Sequence, residues 1–323
     1  MEKKVVSAKD IAKIANVSQS TVSRVFTPGA SVAEKTRRRV LKIAEKYNYR
    51  PNALARGLIK NKTNMIGLLM KEIPNPFYHE VLGKFTQTLK KKGYSVLFSY
   101  TEHDEIEEED IHNFLEYNVD GIIVMDALLS SRAARKLEQN DIPVTLFNRE
   151  ANYMNSVSSD HVYAGKMTAA YVVEQGYKDV AFLTGNTKEA EDRRAGFIHI
   201  IKGTAVHVRT LPGNETYETA FQQTTRMLEE GHQPEVIIGA NDVTAFGVLD
   251  ALKEKGVRVP AETAVIGFDN MKMATWPKYM LSTWAHPIDQ MVDAAVSLID
   301  GGKKKDIVSI KLKGHLIHRH STK

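Results

Sequence analysis

The chain has 323 residues, 42% of them apolar and 26% charged, and a net charge of +5. Its length is about twice the ~150 residues of one ordinary domain, so at least two folding units are expected. No apolar run reaches the about 18 residues of a membrane span, the first residues lack the apolar core of a secretory signal, and there is no cysteine for disulfide, thiol-catalytic or thiolate-metal chemistry. These features predict a cytoplasmic protein that does not enter a membrane.

Charge is unevenly spread. Residues 1–62 hold fifteen Lys/Arg against four Asp/Glu, whereas the rest holds 29 against 35. A basic head on an acidic body points to a polyanionic partner for the head. The head also carries folding signals. Ser7-Ala8-Lys9-Asp10 reads as a capping box that opens a short helix with Ile11, Ala12, Ile14 and Ala15 inward. Asn16 suits the left-handed turn residue, and Ser18 caps a second helix over Gln19–Phe26 with Val22 and Val25 inside. A second capping box, Ser31-Val32-Ala33-Glu34, predicts a third helix with Val40, Leu41, Ala44 and Tyr47 along one stripe. Small Ala12, turn-forming Asn16 and apolar Val22 and Val25 have helix-turn-helix spacing. On the second helix, Gln19, Ser20, Thr21, Ser23 and Arg24 are donors sized for base edges and phosphates in a major groove.

The stretch Asp10-Ile-Ala-Lys-Ile-Ala-Asn-Val-Ser-Gln-Ser-Thr-Val-Ser-Arg-Val25 resembles the DNA-binding head of the lactose-repressor/galactose-repressor family of bacterial transcription regulators. The resemblance puts Gln19, Ser20 and Arg24 at the main base-reading positions and Thr21 and Ser23 against phosphate. Tyr49-Arg50-Pro51 then leads into Asn52-Ala53-Leu54-Ala55-Arg56-Gly57-Leu58, a helix of two turns at most and too short to persist alone. By itself this segment reads as a linker. By resemblance it is a hinge helix in which Asn52 and Ala53 belong to the minor-groove surface and Leu58 is the wedge that unstacks a base step.

From Thr63 onward, apolar runs alternate with amphipathic helices. Strands are predicted at residues 65–70, 96–100, 121–125, 144–147, 180–184, 236–240 and 264–268, and helices at 77–92, 160–175 and 242–255. Runs without polar alternation imply strands buried on both faces, as in a parallel sheet. Repeated βα units predict two doubly wound sheets facing a cleft, with ligands bound beyond the carboxyl ends of the strands. The polar residues at those ends are Asn75, Asp126, Asn148-Arg149, Arg193, Asn241-Asp242 and Asp269-Asn270, with Phe77 and Tyr78 nearby. Amides, carboxylates and a guanidinium beside an aromatic face suit a sugar. Singly, Asn75, Asp160 and Asp242 also sit where helix caps belong.

The resemblance continues through Asn75-Pro76-Phe77-Tyr78, Asp120-Gly121-Ile122-Ile123-Val124, Arg193-Arg-Ala-Gly196-Phe197, Ala240-Asn-Asp-Val-Thr-Ala-Phe-Gly247 and Ile266-Gly-Phe-Asp-Asn270. It implies an all-α helix-turn-helix head at 1–50, a hinge at 51–62, and an α/β body at 63–323 of two doubly wound parallel-sheet subdomains, like a periplasmic binding protein. It places Phe77, Tyr78, Asn148, Asp160, Arg193, Asn241 and Asp269 in the effector pocket. His161 and His286 depart from the usual family residues, and Tyr217 follows a shortened segment as a candidate aromatic over the ligand. The implied partners are double-stranded operator DNA, a small effector of sugar type and a second copy of the chain. A purine or sugar-phosphate corepressor, or a phosphorylated carrier protein, is the alternative.

An enzyme is not expected. The sequence has no nucleophile elbow, phosphate loop, dinucleotide loop or metal-spaced histidine cluster, and no cofactor motif. His315, His318 and His320 read as surface residues of a strand and tail. A sugar-transport protein would share the body's pattern, but the missing signal peptide and the basic head argue against one. No leucine heptads follow the last strand, so a dimer is expected without a tetramerising tail.

Overall fold

The capping box opens the first helix, α1 (Ala8–Ile14), as expected: Ser7 N–H donates to Asp10 Oδ2 at 2.9 Å and Asp10 N–H to Ser7 Oγ at 3.3 Å. Asn16 adopts φ of 50°, the left-handed turn that the sequence predicts. The second helix, α2 (Gln19–Val25), begins at Ser18, whose Oγ accepts Thr21 N–H at 3.1 Å. Ile11, Ala12, Ala15, Val22, Val25 and Val40 close the small core. Each buried Ile or Val there contributes about 1.5–3 kcal/mol over exposure.

The third helix corrects the sequence reading. It runs Glu34–Lys46 (α3) and its N-cap is Ala33, with no side-chain capping bond; Ser31 lies too far upstream. Arg37 supplies the missing tie, donating Nη1 to Val25 O at 2.7 Å and Nη2 to Ala30 O at 2.8 Å. Of the expected apolar positions, Val40 and Ala44 are buried, whereas Ile14, Leu41 and Tyr47 are more than 40% exposed.

The computed structural model describes residues 6–27, 29–50, 62–71, 75–103, 105–301 and 306–323; Asn52, Ala53 and Leu58 of the expected hinge lie outside these. In the body, β1 (Met65–Lys71), α4 (Phe77–Lys91), β2 (Ser95–Thr101), β3 (Glu105–Ile106), α5 (His112–Glu116), β4 (Gly121–Met125), β5 (Leu128–Leu129), α6 (Ser131–Gln139), β6 (Val144–Phe147) and β7 (Asn155–Ser159) belong to a first lobe. A second lobe takes α7 (His161–Glu174), β8 (Asp179–Thr184), α8 (Lys188–Ile201), β9 (His207–Pro212), α9 (Tyr217–Glu229), β10 (Val236–Ile238), α10 (Asp242–Glu254), β11 (Ala264–Phe268) and β12 (Ser282–Ala285). The chain returns to the first lobe as α11 (Ile288–Asp300) and β13 (Ser309–Leu312), then ends in the second with β14 (His315–Ile317).

The sheets run β13-β7-β6-β4-β1-β2 and β14-β12-β11-β10-β8-β9, so the chain passes between lobes three times. All pairings in the two sheets are parallel except β12 with β14. Central strands are apolar because both faces are covered: every residue of β4 and β11 is buried. Strand β7 escapes that rule and was not expected. Its Ser156, Ser158 and Ser159 are almost fully buried, and Ser156 Oγ bonds Ser309 Oγ at 3.0 Å while Ser158 Oγ donates to Glu150 Oε1 at 2.5 Å.

Candidate functional site

The carboxyl ends of both sheets open onto a cleft of about 760 Å³ between the lobes. That volume falls within the range for small-molecule sites. Several strands stop there in left-handed backbone: φ is 55° at Asp126, 63° at Asn148, 115° at Asp269 and 52° at Asn270. Non-glycine residues hold such angles only where their surroundings enforce them, and Asp126, Asn148 and Asp269 themselves line the cleft.

Arg193 is the hub of the second lobe's wall. Its Nη1 donates to Ala240 O at 2.6 Å and its Nε to His161 Nδ1 at 3.2 Å, while Nη2 lies 3.6 Å from Asp269 Oδ1. The guanidinium also covers the Phe268 ring, 5.0 Å from its centroid. Both Arg193 and Asp269 are buried, so each satisfies a charge that would otherwise be stranded. Helix packing sets this position. A Cβ on Gly165 would overlap Arg193 O and one on Gly196 would overlap Val162 O, so the two glycines let α7 and α8 touch backbone to backbone. His286 completes the group, with Nδ1 2.7 Å from Ser159 Oγ and Nε2 3.5 Å from Asp269 Oδ1. Burial lowers the pKa of both His161 and His286, so both rings are neutral at pH 7.

Contacts between the lobes meet at this wall. Asn75 Nδ2 donates to Asp269 Oδ2 at 3.1 Å, His161 Nε2 lies 3.2 Å from Asn148 Oδ1, and Arg149 Nη1 lies 3.6 Å from Glu189 Oε1. On the first lobe, Asn148 Nδ2 donates to Asp126 Oδ1 at 2.9 Å. Burial and the neighbouring Glu189 raise the Asp126 pKa to about 7. Burial and the carboxylates of Asp126, Asp269 and Glu189 raise that of Tyr78, whose hydroxyl therefore stays a donor. At the other end of the cleft, Tyr217 Oη, Lys278 Nζ and Tyr279 Oη all donate to Asp250 Oδ2 within 3.1 Å. Phe246 packs on Tyr279 with ring centroids 4.4 Å apart.

The structure brings Phe77, Tyr78, Asn148, Arg193, Asn241 and Asp269 to one cleft. It does not bring Asp160. That carboxylate caps α7, accepting Tyr163 N–H at 2.8 Å, and its neighbour His161 lines the cleft instead. Asn241 lines it while spending Oδ1 on Thr244 N–H at 2.9 Å and Thr244 Oγ1 at 2.7 Å. Asp242 is buried and structural, accepting Met271 N–H and Thr283 Oγ1. Sequence reasoning missed Glu189, Glu215, Phe246, Asp250, Lys278 and Tyr279, which sit inside helices or loops with no strand-end signal.

On the head, Gln19, Ser20 and Arg24 are exposed, whereas Thr21 and Ser23 are half-buried. Ser18 Oγ lies 2.8 Å from both Ser20 Oγ and Thr21 Oγ1, so those hydroxyls form one cluster at the helix start. An exposed amide, hydroxyl and guanidinium on one short helix can present donors to base edges.

Comparison with known proteins matches residues 7–52 to the model of bacterial regulatory proteins, lacI family, and residues 66–282 to a periplasmic binding protein domain. Catabolite control protein A of Priestia megaterium is 29% identical, covering 98% of this chain and 99% of its own length. The HTH-type transcriptional repressor PurR of Vibrio atlanticus is 31% identical, covering 86% of each chain. Among solved structures, the lac repressor dimer bound to operator and an anti-inducer aligns with a TM-score of 0.83 at 25% identity, covering 99% of both chains. No helix among the described residues is long and apolar enough to cross a membrane.

Proposed function

The chain belongs to the LacI family of bacterial regulatory proteins, a family of DNA-binding transcription regulators, and on that premise we propose that it is a repressor whose operator affinity is set by a sugar-type effector in the cleft. The head is residues 1–50, the hinge 51–62 and the sensing body 63–323. Gln19, Ser20 and Arg24 read base edges, and Thr21 and Ser23 approach phosphate. Asn52, Ala53 and Leu58 form the minor-groove part of the same surface. Two copies of the chain in the cytoplasm place their heads on half-sites of a near-palindromic operator.

In the cleft, Phe77, Tyr78, Asn148, Arg193, Asn241 and Asp269 take the effector. Asp160 acts there only through α7, whose start it caps beside His161. The carrying observation is that the buried Arg193–Asp269 pair is joined to the first lobe at two points, Asn75 donating to Asp269 and Asn148 meeting His161, which Arg193 holds. A ligand that enters must rearrange contacts shared by both lobes, which links cleft occupancy to body closure. The test is selection of duplexes from a random pool by the purified full-length chain. A two-fold related consensus supports the reading; recovery of random sequence, or of single unpaired half-sites, opposes it.

A further inference from the structure

The segment that follows β14 is stitched into the second lobe. Ser321 and Thr322 are buried, and Ser321 Oγ donates to Val265 O at 2.6 Å while accepting Ser282 N–H at 2.7 Å. Val265 N–H in turn donates to Ser321 O at 2.8 Å, and Arg319 N–H to Ser282 Oγ at 2.8 Å. These backbone and serine bonds seat the segment against β11 and β12.

The Arg319 guanidinium reaches further. Its Nη1 donates to Leu281 O at 2.7 Å and its Nη2 to Asn270 Oδ1 at 2.6 Å. Asp269 and Asn270 form the left-handed turn that ends β11, at φ of 115° and 52°. A turn of this kind persists only where its surroundings over-determine it. Backbone ties supply part of that. Asp269 N–H donates to Trp284 O at 3.0 Å, Asn270 N–H to Thr283 Oγ1 at 3.2 Å and Met271 N–H to Asp242 Oδ2 at 2.7 Å. Arg319 holds the Asn270 side chain. Two acceptors met by one planar fork suit a guanidinium, and a lysine ammonium does not reproduce that geometry.

We infer that Arg319 is a positioning residue of the sensing site: from outside the cleft it fixes Asn270, and so aims the Asp269 carboxylate at Arg193, His286 and Asn75. Neither Arg319 nor Asn270 lines the cleft, whereas Asp269 does. The carboxylate lies 3.6 Å from Arg193, 3.5 Å from His286 and 3.1 Å from Asn75, which belongs to the first lobe. Binding groups work when the hydrogen bonds behind them hold them within roughly 0.5 Å, so slack at Asn270 is felt at the tie between the lobes. The inference rests on the effector reading for what Asp269 does, and on these bonds for what Arg319 does.

The experiment is NMR of the histidine rings in the full-length chain, with no ligand present. His286 reports on Asp269 because its Nε2 lies 3.5 Å from Asp269 Oδ1. Its signal is identified by its loss in His286→Gln, and Asp269→Asn shows how it moves when the carboxylate charge is gone. The variants are Arg319→Ala, Arg319→Lys, Asn270→Gly and the double variant Arg319→Ala/Asn270→Gly. Arg258→Ala, which removes an exposed arginine paired with Glu262, is the control. Glycine at 270 keeps the left-handed backbone while removing the acceptor. Circular dichroism establishes that each variant is folded.

The inference expects Arg319→Ala and Asn270→Gly to shift the His286 signal in the direction that Asp269→Asn shifts it. The double variant is expected to shift it no further than the larger single change, because both remove one link. His112 of the first lobe, and every signal in Arg258→Ala, are expected to stay in place. If Arg319→Ala does not fold, Arg319→Lys and Asn270→Gly decide. A His286 signal unmoved in the folded variants, or single shifts that add in the double variant, overturns the inference. So does a shift of His112 as large as that of His286, which marks a general staple. Such a failure leaves the effector reading standing, since no ligand is used, and a failed duplex selection leaves the placing of Asp269 by Arg319 intact.

Discussion

The buried carboxyl of Asp126 makes the stability of the body depend on pH in a calculable way. Its pKa rises from 3.8 to about 7 on folding, through burial first and Glu189 second. A shift of about three units at ~1.4 kcal/mol each is worth ~4 kcal/mol. Because the folded-state value is the higher one, the fold binds this proton more tightly than the unfolded chain does. That advantage is complete below pH 3.8, disappears as the pH rises through 7, and leaves the full cost above it. Asp126→Asn keeps an oxygen for the Asn148 amide and removes the charge. The variant is expected to be more stable than its parent by up to ~4 kcal/mol at pH 8, with the difference shrinking towards zero near pH 4. Urea unfolding read by fluorescence measures it, since Trp284 is 1% and Trp276 47% exposed, both in the second lobe. A difference that stays constant from pH 4 to 8, or grows on acidification, refutes the reasoning.

Arg193→Ala removes the cation beside Asp269 and the donor to Ala240 O; it is expected to cost about 3–5 kcal/mol in unfolding and to abolish ligand response, whereas a variant as stable as the parent contradicts the buried pairing. Gly196→Ala drives a methyl into Val162 O; ligand affinity is expected to fall with the parting of α7 and α8, and an unchanged titration removes that crossing from the argument. In the head, Arg24→Ala is expected to cost ~1–3 kcal/mol on the selected duplex and to relax preference at one base, with little change in melting. Arg37→Ala should do the reverse in kind, lowering the head's melting temperature because Val25 O and Ala30 O lose their donors.

Much of this fold was legible because its signals are local. Strands β4, β6 and β11 begin and end where the apolar runs do, and Ser7, Asn16 and Ser18 play the capping and turning parts their side chains suit. Failures arise where distant groups decide. Strand β7, Asn-Ser-Val-Ser-Ser, is buried through hydroxyl bonds to residues as far away as Ser309, which no hydropathy pattern reveals. Ser31 failed as a cap because α3 starts later, with Ala33 as its N-cap, and the tie there comes from Arg37, which reaches back to Val25 O and Ala30 O.

The cleft divides in the same way. Polar residues at strand ends were legible because a parallel sheet exposes those ends, and that rule reached Asn148, Arg193 and Asp269. It misjudged Asp160, whose capping bond to Tyr163 is the commoner role for an aspartate before a helix. The Asn75–Asp269 bond spans 194 residues, and the bond from Asn186 N–H to Glu215 joins two loops, so neither has a signature along the chain.

The central claim is that cleft and head report on each other. Its most direct test is a reciprocal titration: ligand affinity measured with and without saturating operator duplex, and operator affinity with and without saturating ligand. The account predicts that both affinities change by one common factor of about 5–150. A ligand that binds the cleft tightly while operator affinity stays the same contradicts it.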